Sequence, residues 1–192
     1  MIQSVCVYCG SSARASESYF TAARLTGRVL AERGHTLVYG GAQVGLMGAL
    51  ADTALALNGR VVGVIPQSLV DKEVAHKGLT EQHVVESMHV RKALMNELSD
   101  AFLALPGGFG TLDELFETLT WAQLKFHAKP VGLLNIDGYF DGLLTFARRA
   151  VDDGFIHPAH VEMIHIGTDP GELLDRMAGF VAPDAGKWWR QP

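Results

Sequence analysis

The chain has 192 residues, 48% of them hydrophobic and 19% charged, with a formal net charge of −5 at neutral pH. That length and balance suit a globular domain with a sizeable core, and the acidic sign argues against nucleic acid or an anionic membrane as main partner, since both reward a basic surface. No apolar run has the roughly 20 residues of a membrane helix and Met1-Ile2-Gln3-Ser4 lacks the basic start of a secretory signal, so a cytoplasmic location is expected.

Val5-Cys6-Val7-Tyr8-Cys9 reads as a strand closed by Gly10-Ser11-Ser12. A helix follows over 19–32, with Phe20, Ala23, Val29 and Leu30 on one face and Gly34 as its stop. Thr36-Leu37-Val38-Tyr39 is a second strand running into Gly40-Gly41. A helix over 44–57 ends at Asn58-Gly59, and a third strand over 60–65 is stopped by Pro66. Residues 66–82 carry mixed charge and no clean period, and a loop this long in a compact domain reads as the flank of an active site.

A short strand over 83–87 leads into a helix over 88–98 with Ser87 as N-cap. Ala101-Phe102-Leu103-Ala104-Leu105 is apolar throughout, as a strand covered on both faces should be. Beyond Pro106-Gly107-Gly108-Phe109-Gly110-Thr111, a helix to about residue 126 carries Leu112, Leu115, Phe116, Leu119 and Ala122 as its core stripe. A buried strand over 130–135, a helix over 139–152, a loop containing His157-Pro158-Ala159-His160, a strand over 162–166 and a helix over 170–180 complete the pattern. Alternating strands and helices imply an α/β fold, a Rossmann-like doubly wound parallel sheet with helices on both faces. With no internal repeat or linker, residues 1–192 read as a single domain, and the tail 182–192, with Trp188-Trp189, as a possible docking segment.

Cys6 and Cys9 form a C-x-x-C pair, which suggests redox chemistry or half a zinc site. A redox pair usually opens a helix and a zinc site needs a second ligand pair, so two buried residues at a strand end are the preferred reading. Eight histidines form no H-E-x-x-H motif and no cluster with cysteine; His89 alone has a suggestive position, and no metal is expected.

Ligands of open α/β sheets bind at the carboxyl ends of the strands, and three glycine-rich loops belong to that edge. Gly40 to Gly45 reads G-x-A-x-x-G, with Arg60 and Val61 where a ribose-binding acid would stand, and no G-K-[ST] follows. That disfavours a dinucleotide cofactor and a Walker loop. The loop at 106–111 precedes a helix start, where unpaired N–H groups and the helix dipole favour an anion, and Thr111 adds a hydroxyl. Alone, the loop is equally consistent with a tight turn. Glu114 and Arg91 both follow strands at this edge, and Glu114 is expected in the first helical turn, where the dipole favours its ionised form. Asp113 is read as a dipole acid and Glu117 as a partner of Lys125 or of a neighbouring chain. A cation, a carboxylate and a phosphate cradle suit a phosphorylated substrate whose transition state carries positive charge, such as the oxocarbenium ion of N-glycoside cleavage.

Met88-His89-Val90-Arg91-Lys92 together with Pro106-Gly107-Gly108-Phe109-Gly110-Thr111-Leu112-Asp113-Glu114 resembles the paired signature M-H-x-R-K and P-G-G-x-G-T-x-x-E of the Lonely Guy (LOG) family. These are cytokinin riboside 5′-monophosphate phosphoribohydrolases, often mislabelled lysine decarboxylases. The similarity extends through Tyr39-Gly40-Gly41, Gly45-Leu46-Met47-Gly48 and Trp121-Ala122-Gln123-Leu124. It implies hydrolysis of cytokinin riboside 5′-monophosphates, with AMP as a further substrate, to free base and ribose 5-phosphate, without a cofactor, by a homodimer with its site near the interface. It places catalysis on Arg91 and Glu114, and substrate or phosphate contacts on Glu73, Lys92, Gly107, Gly108, Gly110, Thr111 and Thr120. Phe109 stands where tyrosine is common and Asp113 where glutamate is common. A decarboxylase would need pyridoxal phosphate on a Schiff-base lysine, for which no context is visible. A non-catalytic nucleotide or molybdenum-cofactor carrier of the same fold stays open as the alternative.

Overall fold

The computed structural model describes residues 1–72 and 74–183. Glu73 and the Trp188-Trp189 tail therefore lie outside the described residues. Strand β1 (Ser4–Tyr8) leads to helix α1 (Glu17–Glu32), β2 (Thr36–Tyr39) to α2 (Gly45–Ala56), and β3 (Val61–Pro66) to the single turn α3 (Gln67–Val70). Then come β4 (Glu81–Val85), α4 (Met88–Glu97), β5 (Ala101–Ala104), α5 (Phe109–Gln123) and β6 (Val131–Leu134). A 3₁₀ turn (Ile136–Gly138), α6 (Asp141–Asp152), α7 (Pro158–Glu162), β7 (Ile164–Gly167) and α8 (Pro170–Ala178) complete the described chain.

The seven strands form one parallel sheet in the order β4-β3-β2-β1-β5-β6-β7. Period-2 alternation divides the core between its faces. Val5, Val7, Cys9, Leu37 and Tyr39 pack with α1, α2 and α8, whereas Cys6, Tyr8, Val38, Val62, Val64 and Phe102 pack with Met95 of α4, Leu115 of α5 and Leu144 of α6. The doubly wound expectation holds. Cys6 and Cys9 are consequently buried on opposite faces as free thiols. Burial pushes the Cys6 thiol up to about 12 and raises Cys9 as well, so neither is poised for redox work.

Three local expectations need correction. His157-Pro158-Ala159-His160 is a helix start, not a loop: His157 Nδ1 accepts the Ala159 N–H and Pro158 takes the first helical position, where its missing N–H costs nothing. The last strand accordingly begins at Ile164 rather than at residue 162. Strand β4 lies two residues earlier than expected, at Glu81–Val85, because its pairing with Val62 to Pro66 sets the register.

The order of strand addition reverses between β1 and β5, which are neighbours in space but separated by three strands in sequence. Such a switch point leaves a crevice between helices that leave the sheet on opposite faces. The loops entering α1 and α5 meet there: Gly10 N donates to the Pro106 carbonyl at 3.1 Å.

Candidate active site

The glycines of the 106–111 loop have two different duties. A Cβ on Gly107 would stand 2.1 Å from Thr111 Oγ1 and 2.8 Å from Gly10 N, so packing alone demands glycine there. Gly108 and Gly110 have nothing within 4 Å of a Cβ position and are exposed. They leave open space in front of the first turn of α5, whose N–H groups have no intrahelical acceptor. The crevice beside them is a cavity of about 350 Å³ lined by Ser11, Ser12, Tyr19, Gly107, Gly108 and Tyr139 among others. Tyr139 Oη donates to the Gly107 carbonyl at 2.5 Å, and its ring meets Tyr19 edge-on with centroids 5.5 Å apart. Thr111 is buried at the base of the loop.

Arg91 and Glu114 come together at the same edge. Ser87 caps α4 as expected, its hydroxyl accepting the Val90 N–H at 3.2 Å, and this sets Arg91 at the end of the first turn, aimed inward. Arg91 Nη1 donates to Glu114 Oε1 at 2.5 Å and Nε to the Val64 carbonyl at 2.9 Å. Both residues are buried, at 6% and 8% exposure. The seat of the guanidinium is Gly40: a Cβ there would lie 2.0 Å from Arg91 Nη2. The glycine after β2 is thus a hole filled by a cation rather than a nucleotide fingerprint.

Glu114 is the sixth residue of α5 and not part of its first turn, which contains no acid. The dipole argument for its ionisation therefore fails. Burial holds its carboxyl above the usual glutamate range, while Arg91 pulls it back down. Behind it, the Thr118 hydroxyl donates to the Glu114 carbonyl at 2.9 Å and sits 3.0 Å from Tyr8 Oη, fixing this turn of α5 to β1.

Lys92, its side chain 10% exposed, pairs instead with Asp113 and Glu117, each at 3.1 Å. Asp113 and Glu117 are thus partners of Lys92, in place of the dipole and Lys125 roles read for them. Thr120 lies on the exposed side of α5, its hydroxyl bonded to the Phe116 carbonyl at 2.7 Å. It lines a separate apolar cavity of about 140 Å³ formed with α6 and α7, and is not among the residues around Arg91 and Glu114. Sequence reasoning did not find Gly40 as the arginine seat, the Val64 carbonyl, Tyr19, Tyr139 or the Tyr8–Thr118 pair. Only Tyr39-Gly40-Gly41 at a strand end gave a signal, and it pointed to a ligand rather than to Arg91. Among the described residues, no group of three or more His, Cys, Asp or Glu side chains is placed to hold a metal ion, and no helix is long and apolar enough to cross a membrane.

The family model described as "Possible lysine decarboxylase" matches residues 47–177, a span containing Arg91, Glu114 and the whole 106–111 loop. In rice (Oryza sativa subsp. japonica), the probable cytokinin riboside 5′-monophosphate phosphoribohydrolase LOGL5 is 49% identical over 179 residues, covering 93% of this chain and 73% of that protein. The chain belongs to the LOG family. In Arabidopsis thaliana, the cytokinin riboside 5′-monophosphate phosphoribohydrolase LOG7 is 50% identical over 177 residues, covering 92% of this chain and 81% of its own. Among solved structures, the molybdenum cofactor carrier protein of Chlamydomonas reinhardtii superposes with a TM-score of 0.70 at 22% identity, over 94% of this LOG-family chain and 100% of its own. The molybdenum cofactor binding protein of Rippkaea orientalis gives 0.69 at 23% identity, over 93% and 96%. These two likenesses establish the fold alone.

Proposed function

We propose that this chain hydrolyses the N-glycosidic bond of nucleoside 5′-monophosphates, cytokinin riboside 5′-monophosphates and AMP among them, releasing free base and ribose 5-phosphate. The observation that carries the reading is the buried Arg91–Glu114 pair, one and a half turns along α5 from an open anion cradle. Glu114 stands six positions after Gly108, about 9 Å along the axis, a span on the scale of a ribose phosphate. In this reading the 5′-phosphate sits at the start of α5, on the N–H groups of its first turn, with Gly108 and Gly110 giving it room and Thr111 a hydroxyl. The ribose then runs toward Glu114.

Positive charge builds at C1′ as the C1′–N bond breaks and its electron pair leaves with the base. The Glu114 carboxylate stabilises that charge and takes a proton from the water that attacks C1′, while Arg91 holds the carboxylate in place. Burial makes Glu114 a stronger base than an exposed glutamate, which suits the second task. The names of the LOG relatives support the same substrate class. The carrier alternative rests on likeness of fold alone.

Incubation with AMP and with its N6-isopentenyl form, followed by chromatography for free base, tests the reading. Release from either supports it, and no release from any nucleoside monophosphate refutes it. We further propose a homodimer: α5 presents Phe109 and Phe116 to solvent at 93% and 43% exposure, and Thr120 on that outer side reaches a substrate only if a second copy supplies it. Light scattering at the mass of a single chain would overturn this. The cytoplasm is the proposed location, and the unpaired thiols of Cys6 and Cys9 agree with a reducing compartment.

A further inference from the structure

Between α3 and β4 the chain runs as a strap, residues 74–80, whose first half is hydrogen-bonded to the loop that follows β2 and whose second half returns along β3. Gln43 N donates to the Val74 carbonyl at 2.8 Å, Ala75 forms an isolated antiparallel bridge with Ala42, and His76 N donates to the Gly41 carbonyl at 2.9 Å. Leu79 fills the space over Gly63, where a Cβ would stand 2.4 Å from its Cδ1. Val61 N donates to Thr80 Oγ1 at 3.1 Å.

One side chain ties the middle of the strap to a helix. His76 is 4% exposed. Its Nδ1 accepts the Gly78 N–H at 3.0 Å, which makes Nε2 the protonated nitrogen of the neutral ring, and Nε2 donates to Asp52 Oδ1 of α2 at 2.9 Å. The strap, the loop of Gly40 to Val44 and α2 therefore close into a ring of contacts, with His76–Asp52 as the one side-chain hydrogen bond between strap and helix among the described residues.

What that ring holds is the seat of Arg91. Gly41 adopts a positive φ of 73° and is gripped through its carbonyl by His76, and Gly40 beside it lies against the guanidinium. The remaining anchors of Arg91, the Val64 carbonyl and Glu114, stand on β3 and α5. A shift of Gly40 relative to those two anchors moves the cation relative to the carboxylate it orients.

We propose that His76, through its Nε2–Asp52 hydrogen bond, is a positioning residue that locks the Gly40–Gly41 seat of Arg91. The inference rests on the hydrolase reading given above. Removing the link lowers kcat by loosening Arg91 and leaves KM nearly unchanged, because the phosphate cradle at α5 is built from other residues.

The test uses the full chain and whichever of AMP or its N6-isopentenyl form the wild type turns over. An asparagine amide matches Nδ1 of histidine and a glutamine amide matches Nε2. His76→Asn thus keeps the Gly78 contact and loses the link, while His76→Gln keeps the link. Asp52→Ala removes the acceptor from an exposed position, with little risk to folding, and Asp52→Asn retains it. The expected result is a loss on the order of tenfold in kcat for Asp52→Ala and His76→Asn, with KM within about twofold of wild type. Amide hydrogen exchange at residues 40–43 should quicken in both. Asp52→Asn and His76→Gln should restore most of the rate. Wild-type kcat in Asp52→Ala, equal losses in Asp52→Ala and Asp52→Asn, or unchanged exchange at 40–43 would each overturn the proposal. A wild-type protein that releases no base instead overturns the hydrolase reading and the catalytic meaning of the link with it, an outcome distinct from normal wild-type turnover with an indifferent Asp52→Ala.

Discussion

Two charge clusters stand side by side on the same pair of helices and behave in opposite ways. Arg91 and Glu114 turn inward from α4 and α5 and pair with both side chains buried, at 7% and 9% exposure; in the neighbouring, outer cluster only the cation is covered, Lys92 being 10% exposed while its partners Asp113 and Glu117 are 60% and 26% exposed. In the outer cluster burial lowers the Lys92 pKa, but hydrogen bonds and charge from Asp113 and Glu117 outweigh it and hold the ammonium above its ordinary range. In the inner pair burial wins, and Glu114 stays above its ordinary range despite the arginine beside it. The lesson is one of dielectric. A buried pair is costly to assemble and to break, and a chain that keeps one where apolar residues would pack gains chemistry rather than stability. In the outer cluster Asp113 keeps its carboxylate in water, so removing it costs little.

The largest expected effect comes from breaking the inner pair. Arg91→Ala leaves a buried carboxylate without its partner and should lower unfolding free energy by about 3–5 kcal/mol in urea titration. Glu114→Ala should remove base release by about 10²–10⁴-fold in single-turnover assays, with the fold intact by circular dichroism. If Glu114→Ala retains full turnover, the inner pair is structural after all.

Gly40→Ala comes next. Its new methyl would stand 2.0 Å from Arg91 Nη2 and displace the guanidinium, so kcat should fall by about 10²-fold while KM changes little. A selective rise in KM would reassign Gly40 to ligand contact. The pH profile sharpens the comparison further. In the proposed mechanism Glu114 acts as the ionised form, and burial raises its folded pKa, so activity should fall on acidification through a value above the ordinary glutamate range. An acid limb at or below that range would mean that Arg91 outweighs burial. The smallest effect belongs to the outer cluster: Asp113→Ala should change unfolding free energy by less than about 1 kcal/mol and leave kcat near wild type. A loss comparable to that of Arg91→Ala would erase the contrast between the clusters.

Much of the fold was legible because period-2 and helical patterns are local. Strand β5 declared itself as an unbroken apolar run, and the M-H-x-R-K and P-G-G-x-G-T-x-x-E segments stood out without any structure. The misreadings share a cause in tertiary contact. Strand β4 slid by two residues because its register is set by pairing with β3. Glu117 found Lys92 and not Lys125 because α4 lies alongside α5. Glu114 lost its supposed dipole stabilisation because α5 starts at Phe109 and the carboxylate is buried. The 66–82 segment read as an irregular flank, and only its contacts with Gly41, Ala42 and Gln43 make the described part a strap.

By itself the sequence determined the α/β order, the glycine-rich helix start at 106–111, and the paired motifs around Arg91 and Glu114 that mark the family. Those depend on neighbours along the chain, which periodicity and capping reveal. Only the tertiary structure decided that Gly40 is the seat of Arg91, that Val64 supplies its second anchor, that Gly107 serves packing while Gly108 and Gly110 stand open, and that Lys92 pairs with Asp113 and Glu117. Each of those is a contact between segments distant in sequence, and its energy depends on burial, which no single stretch of the chain encodes.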